Sequence, residues 1–268
     1  MDAKRNPNRG ILQYETGKTK FSISRHKPSA DLAFFIQHYW LVDWDLRGQA
    51  PHCQEVLQHP GVNVVFQRGH SRINGIENKK SAYILQEQGE IVGVLFRPGA
   101  FHCYFQAPVA ALTNRIADVS DYFPIEPRQF ERELFAQEDK EQRIELVERL
   151  LRTRMPERDD KVDWLNDVIE AIIHDRSLIK VEQVVERFGV TTRTLQRLFH
   201  QYVGVSPKWV IQRYRMHEAG ELIEAGTDIA QLAAELGYTD QAHFSKDFKA
   251  AVGKPPKQYA RMTELPPE

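Results

Sequence analysis

At 268 residues and 31.1 kDa the chain exceeds the commonest size for one hydrophobic core, so two domains are expected. Hydrophobic residues at 41% and charged residues at 27% exclude a wholly disordered chain. A net charge of -1 excludes a globally basic protein, but residues 180–262 hold 12 Lys and Arg against 9 Asp and Glu, so any affinity for polyanions is concentrated there.

The two cysteines, Cys53 and Cys103, form neither a CxxC pair nor a spaced quartet, which argues against a structural zinc site or a disulfide framework and for a reducing, cytoplasmic setting. Residues 1–10 are polar rather than signal-like, and no apolar run reaches the roughly 18 residues of a membrane span, so no membrane partner is expected.

Residues 34–44, 56–57, 62–66, 82–85 and 91–96 are rich in β-branched and aromatic types and are separated by Gly and Pro, as at Pro60-Gly61, Asn74-Gly75 and Pro98-Gly99. Five or more strands without long helical periods predict an antiparallel, cupin-like barrel or sandwich. Residues 108–117 read as a short helix with Val109, Leu112 and Ile116 on one face, and helices are predicted over 128–135 and 141–154. Ile144, Val147, Leu150 and Leu151 form a stripe on the last of these, suited to its own core or to a dimer interface. Residues 155–160 lack an apolar pattern and read as a linker, dividing an N-terminal effector-sensing or dimerisation domain (1–155) from a C-terminal domain (156–268).

Chemistry is weakly signalled in the first half. His52, Cys53, Glu55 and His59 lie close together and on an extended strand Cys53, Glu55 and His59 share a face, but they match no metal motif and ordinary strand and loop polarity is the simpler reading. His102-Cys103 sit in an aromatic packing segment with Phe101, Tyr104 and Phe105. Phe34, Phe35, Tyr39, Trp40 and Trp44 either fill a core or line an effector pocket, with core favoured for any one of them. No catalytic triad, phosphate loop or carboxylate pair stands out, so no metal, cofactor or catalytic residue is assigned.

The second half contains one pattern twice. A helix over 162–175 with Leu165, Val168, Ile169, Ile172 and Ile173 inward precedes a helix over 181–188 that ends at Gly189. Thr191 caps the next helix, on which Leu195, Leu198, Phe199 and Tyr202 face inward and Arg193, Gln196, Arg197 and His200 face outward. Ser206-Pro207 starts a long helix reaching toward Gly226, about 30 Å at 1.5 Å per residue and close to one DNA turn. Asp228 opens the second copy, Gly237 makes its turn, and Asp240 caps a helix with Phe244 and Phe248 inward and Gln241, Ala242, His243, Ser245, Lys246 and Lys249 outside or at the edge. Arg and Gln at the start of the second helix of a helix-turn-helix suit base edges, and the softer second set suits phosphate.

Thr194-Leu195-Gln196-Arg197-Leu198-Phe199 with Gly204-Val205-Ser206-Pro207, and Leu236-Gly237-Tyr238 through Asp240-Gln241-Ala242-His243-Phe244-Ser245-Lys246-Asp247-Phe248-Lys249 with Gly253, Pro256 and Tyr259, resemble the signature of AraC/XylS-type transcriptional regulators over about 100 residues. The resemblance implies two helix-turn-helix units on a long helix, with Arg193, Gln196 and Arg197 at base-reading positions of the first and Gln241, Ala242, His243 and Lys246 at those of the second. Lys246 stands where the family commonly has Arg, and Pro255 where it commonly has Ser; the first exchange removes a bidentate contact. His38-Tyr39-Trp40, residues 54–60 and 63–66, and Phe96-Arg97-Pro98-Gly99-Ala100-Phe101 resemble an uncharacterised domain found ahead of such units. The implied partners are double-stranded DNA, RNA polymerase, a small-molecule effector and a second copy of the chain. The alternative is a metal-dependent cupin-like enzyme fused to a DNA-binding module.

Overall fold

A computed structural model describes residues 8–263. It is an α+β chain, with an antiparallel β region and its flanking helices followed by an all-α region. The N-terminal part holds α1 (Tyr14–Gly17), β1 (Ser22–His26), β2 (Ile36–Asp45), β3 (His52–Val56), β4 (Asn63–Phe66), β5 (Arg72–Asn74), β6 (Ser81–Leu85), β7 (Gln88–Phe96), α2 (Phe101–Phe105), β8 (Ile116–Asp118), α3 (Pro127–Phe135) and α4 (Lys140–Arg152). The C-terminal part holds α5 (Asp160–His174), α6 (Val181–Phe188), α7 (Thr192–Leu198), α8 (Pro207–Glu224), α9 (Ile229–Glu235), α10 (Gln241–Val252) and α11 (Pro256–Thr263).

Six strands form one sheet in the order β1-β2-β7-β4-β5-β8, and β3 pairs with β6 in a second sheet; every pairing is antiparallel. Alternation along the strands divides the large sheet into two faces. One face, with Tyr39, Leu41, Val64, Phe66, Val92 and Val94, is buried in the core beneath the helices. The other, with Ile23, Trp40, Val42 and Val65, turns toward the β3–β6 sheet and encloses a cavity.

The predicted helix over 108–117 is not present. Val109–Leu112 make a single 3-10 turn, Asn114 takes a positive φ of 57°, and Ile116–Asp118 pair with β5 as an edge strand, so the apolar spacing there reflects a turn followed by a strand. β1 and β5 escaped the sequence pattern because they are short and mostly polar, and β8 because it is only three residues long. The stripe on α4 is buried in its own core, with Val147 and Leu151 wholly covered.

Packing does not respect the segment over 155–160. One continuous core runs from Leu32 through the β region, α3 and α4 into α5, α6, α7 and the first half of α8, as far as Tyr214. A second core gathers Met216, Ala219 and Ile223 of α8 with Leu232, Phe244, Phe248 and Tyr259, and takes in Leu12 and Leu57 from the N-terminal part. Asp159 caps α5 and also accepts a 2.6 Å hydrogen bond from the Tyr202 hydroxyl, while Arg158 lies 5.3 Å over the Phe34 ring. The segment is thus anchored to both sides.

Candidate nucleic-acid interface

The first unit is built from α6, a turn, and α7. Gly189 takes φ 62°, a left-handed conformation that a side chain disfavours, and so closes α6 sharply. The Thr191 hydroxyl then accepts from Thr194 N at 3.1 Å and starts α7. Leu195, Leu198, Phe199 and Tyr202 are all buried, which leaves Arg193, Gln196, Arg197 and His200 exposed. Beyond Leu198 the helix widens into a π turn over Phe199–Val203, held from the β side by Thr113 Oγ1 donating to Gly204 O at 2.6 Å.

The second unit repeats the construction. Asp228 accepts from the backbone N–H groups of Ala230 and Gln231 to cap α9, and Asp240 accepts from His243 N at 2.7 Å to cap α10. Phe244 and Phe248 are wholly buried, and Gln241, Ala242, His243, Lys246 and Lys249 are exposed; Ser245 is half-buried. His243 rests edge-on against Tyr238 at 5.3 Å, and the Arg215 guanidinium lies over the Tyr238 ring at 4.4 Å. Burial pushes the Arg215 pKa down, so this residue belongs to the packing of the turn rather than to the exposed surface.

Between the units α8 starts at Ser206, whose hydroxyl accepts from Trp209 N at 3.2 Å, and runs for 18 residues. At 1.5 Å per residue it spans about 27 Å. Among the described residues, Arg193, Arg197, Lys246 and Lys249 enter no ion pair, so four exposed cations on the two candidate reading helices are not neutralised by the chain itself.

Two groups of residues escaped the sequence pattern. On α8, Arg213 and His217 are each 3% exposed: Arg213 donates to the carbonyls of Glu77 and Asn78, and His217 Nε2 lies 2.8 Å from Leu57 O. They join α8 to the β region together with the Arg9–Glu221 ion pair and the Gln13 N to Glu224 hydrogen bond. The signal for them was the lack of a continuous polar face between Trp209 and Ile223. The second group lines the cavity of about 180 Å³ between the two sheets. It includes Trp40, one of the weighed aromatics, while Phe34, Phe35, Tyr39 and Trp44 are core.

The weighed metal ligands do not converge. Cys53 faces solvent, Glu55 is engaged by Lys80 and Lys254, and His59 Nε2 lies 3.0 Å from Arg9 O. No cluster of three His, Cys, Asp or Glu side chains suited to a metal occurs among the described residues. His102 packs against Tyr202 at 4.3 Å, within the predicted aromatic segment. No helix is long and apolar enough to cross a membrane among the described residues.

Tandem capped helix-turn-helix units on one connecting helix define a DNA-binding module of the double-reader class. The comparisons agree. A helix-turn-helix domain model matches residues 184–262, and a model for a domain of unknown function matches residues 24–118. The multiple antibiotic resistance protein MarA of Escherichia coli K12 is 33% identical over 105 residues, which are 39% of this chain and 77% of MarA. The chain belongs to the AraC-type family of helix-turn-helix transcriptional regulators. The transcriptional activator RhaS of Escherichia fergusonii is 29% identical over 98 residues, 36% of this chain, and the match spans only a third of RhaS, 33% of its length. A solved structure of ToxT from Vibrio cholerae is 13% identical with a TM-score of 0.41, over 91% of this chain and 98% of that one.

Proposed function

We propose that this chain binds DNA sequence-specifically and regulates transcription, with residues 156–268 as the DNA-binding domain and residues 1–155 as a regulatory domain. One observation carries the reading: two separately capped helices on one rigid connector each expose a polar, cationic face, and the described residues supply no acidic partner for the four cations on them. The ~27 Å connector suits two successive major grooves on one side of a duplex. Arg193, Gln196 and Arg197, with His200 at the edge, are assigned to the first groove, and Gln241, Ala242, His243, Lys246 and Lys249 to the second. Arg pairs bidentately with guanine and Gln with adenine, whereas Lys supplies a point charge for phosphate.

The regulatory role of the first domain rests on its cavity and on its contacts with α8. A small-molecule effector in the cavity, RNA polymerase and a second copy of the chain are the proposed further partners, in the cytoplasm. The domain is read as a sensor and not as an enzyme.

Selection of bound DNA from a random pool with the full chain tests the central reading. The expected result is an enriched site with two elements about one helical turn apart, bound with strong salt dependence. Failure to enrich any motif, together with salt-insensitive binding, would overturn it.

A further inference from the structure

The cavity between the sheets has a chemical polarity that follows from strand register. Three rows of inward-facing residues cross the large sheet side by side. The middle row runs Arg25, Trp40, Gly93, Val65, Arg72, each residue paired with the next. Its centre is flat because Gly93 has no side chain: a Cβ there would lie 1.9 Å from Trp40 Cε2, so the indole lies over the glycine as an apolar floor. Arginines stand at the two ends of this floor.

On one side of that row lie His38, Leu95, Asn63 and Asn74, again paired in order, with Trp40 Nε1 donating to Asn63 Oδ1 at 3.1 Å. On the other side lie Ile23, Val42 and Ile91. The covering sheet matches the division. Gln58 and Tyr83 line the polar end, and Phe21 and Leu85 continue the apolar end into their own small core.

The charge is one-sided. Three arginines and two histidines line the cavity, and none of its lining residues is acidic. Arg9 is committed to Glu221, but Arg25 and Arg72 reach no carboxylate among the described residues: Arg25 donates to Asn8 Oδ1, and Arg72 to Gln67 Oε1 and the His70 carbonyl. Gln58 is 6% exposed, and its Oε1 has no hydrogen-bond partner among the described residues. A buried amide oxygen without a partner is costly unless a ligand meets it, and two guanidinium groups without a carboxylate leave the cavity with a positive charge that an anion would offset.

We propose that this cavity binds a small organic acid, its carboxylate held between Arg25 and Arg72 beside His38 and Asn63, and its apolar body laid over Trp40 toward Ile23, Val42 and Ile91. A hydroxyl next to the carboxylate donates to Gln58 Oε1. The volume of about 180 Å³ suits a single ring with a short chain, since cavities of roughly 150 Å³ accept benzene. The proposal rests on the reading of the first domain as an effector sensor and gives that effector a chemical class.

Calorimetric titration of the full chain tests it with 3-phenylpropanoate, 3-phenyllactate and the neutral 3-phenylpropan-1-ol. The acids are expected to bind about tenfold or more tighter than the alcohol, with the hydroxy acid tightest. In the Arg25→Gln/Arg72→Gln variant the preference for acid over alcohol disappears while the alcohol binds as before. Equal binding of acid and alcohol by the unaltered chain, absence of acid binding, or an undiminished preference in the variant would each overturn the assignment. The unaltered chain supplies the first two outcomes even if the variant fails to fold. DNA affinity measured with and without each compound separates the two readings. Acid binding without effect on DNA keeps the ligand class and removes the sensor role. A neutral compound that alters DNA affinity while no acid binds does the reverse.

Discussion

At the scale of single residues the two candidate reading helices differ in kind. Arg197 and Gln196 stand on an exposed face with long planar donors, while the corresponding face of α10 offers His243, the small Ala242 and the flexible ammonium of Lys246. A guanidinium fork fixes both position and partner, whereas an ammonium turning on four carbons senses charge without direction. Arg197→Ala is therefore expected to cost about 1–3 kcal/mol on the preferred site and to relax the base preference at one position. Lys246→Ala is expected to weaken all sequences alike and to lower the salt slope by about 1. Binding measured on a set of singly substituted sites at several salt concentrations checks both. A changed base preference at one position in the Lys246 variant would show that α10 reads sequence directly.

At the scale of elements the decisive device is the start of α8. Ser206 Oγ satisfies Trp209 N, and Pro207 occupies the first helical position, where no N–H is needed. Ser206→Ala leaves one amide without its partner and is expected to cost about 1 kcal/mol, read as a lower urea midpoint with unchanged m-value. Such local devices explain why the C-terminal half was legible in the sequence. Caps at Thr191, Ser206, Asp228 and Asp240, the glycine after α6, and apolar residues three and four apart are each written within a few positions. The N-terminal half depends on pairing across distance. Ser22–His26 shows only one apolar residue, Ile23, and becomes a strand because β2 supplies its partners. Arg25 and Arg72 lie 47 positions apart and meet one cavity only through the register of five strands. Residues 108–117 misled because Val109, Leu112 and Ile116 mimic a helical face, while Asn114 in the left-handed region breaks the chain between them. Arg213 and His217 escaped the sequence pattern, since neither type is ordinarily buried without a specific partner.

At the scale of the whole molecule the first helix-turn-helix unit shares the large core of the β region, and the second forms a separate core on the far half of α8 that takes in only Leu12 and Leu57 from the N-terminal part. The two readers are thus anchored differently, and the contacts of α8 with the β region lie between them. His217 is central to those contacts. It is 3% exposed, its Nε2 meets Leu57 O, its Nδ1 has no hydrogen-bond partner among the described residues, and its ring lies 4.5 Å from that of His59. Burial, helped by the neighbouring His59, Arg213 and Arg9, pushes its pKa well below the usual 6.5, and burial next to Arg25 and His59 lowers that of His38 to about 4. A proton added to His217 would sit on Nδ1, facing no acceptor. Above pH 6.5 neither the folded nor the unfolded chain protonates these imidazoles, and their full contribution to stability is present. As pH falls below 6.5 the unfolded chain takes up protons that the folded chain refuses, so stability declines by up to roughly 1.4 kcal/mol per pH unit for each histidine. For His38 the loss levels off near pH 4, and for His217 it continues lower. Urea midpoints are expected to stay level from pH 7.5 to about 6.5 and to fall from there to pH 5, and His217→Gln, which keeps a donor for Leu57 O but cannot titrate, is expected to fall less steeply by one proton's worth. Equal slopes in the two proteins would mean that His217 accepts its proton in the folded state, and that the junction between α8 and the β region opens to water.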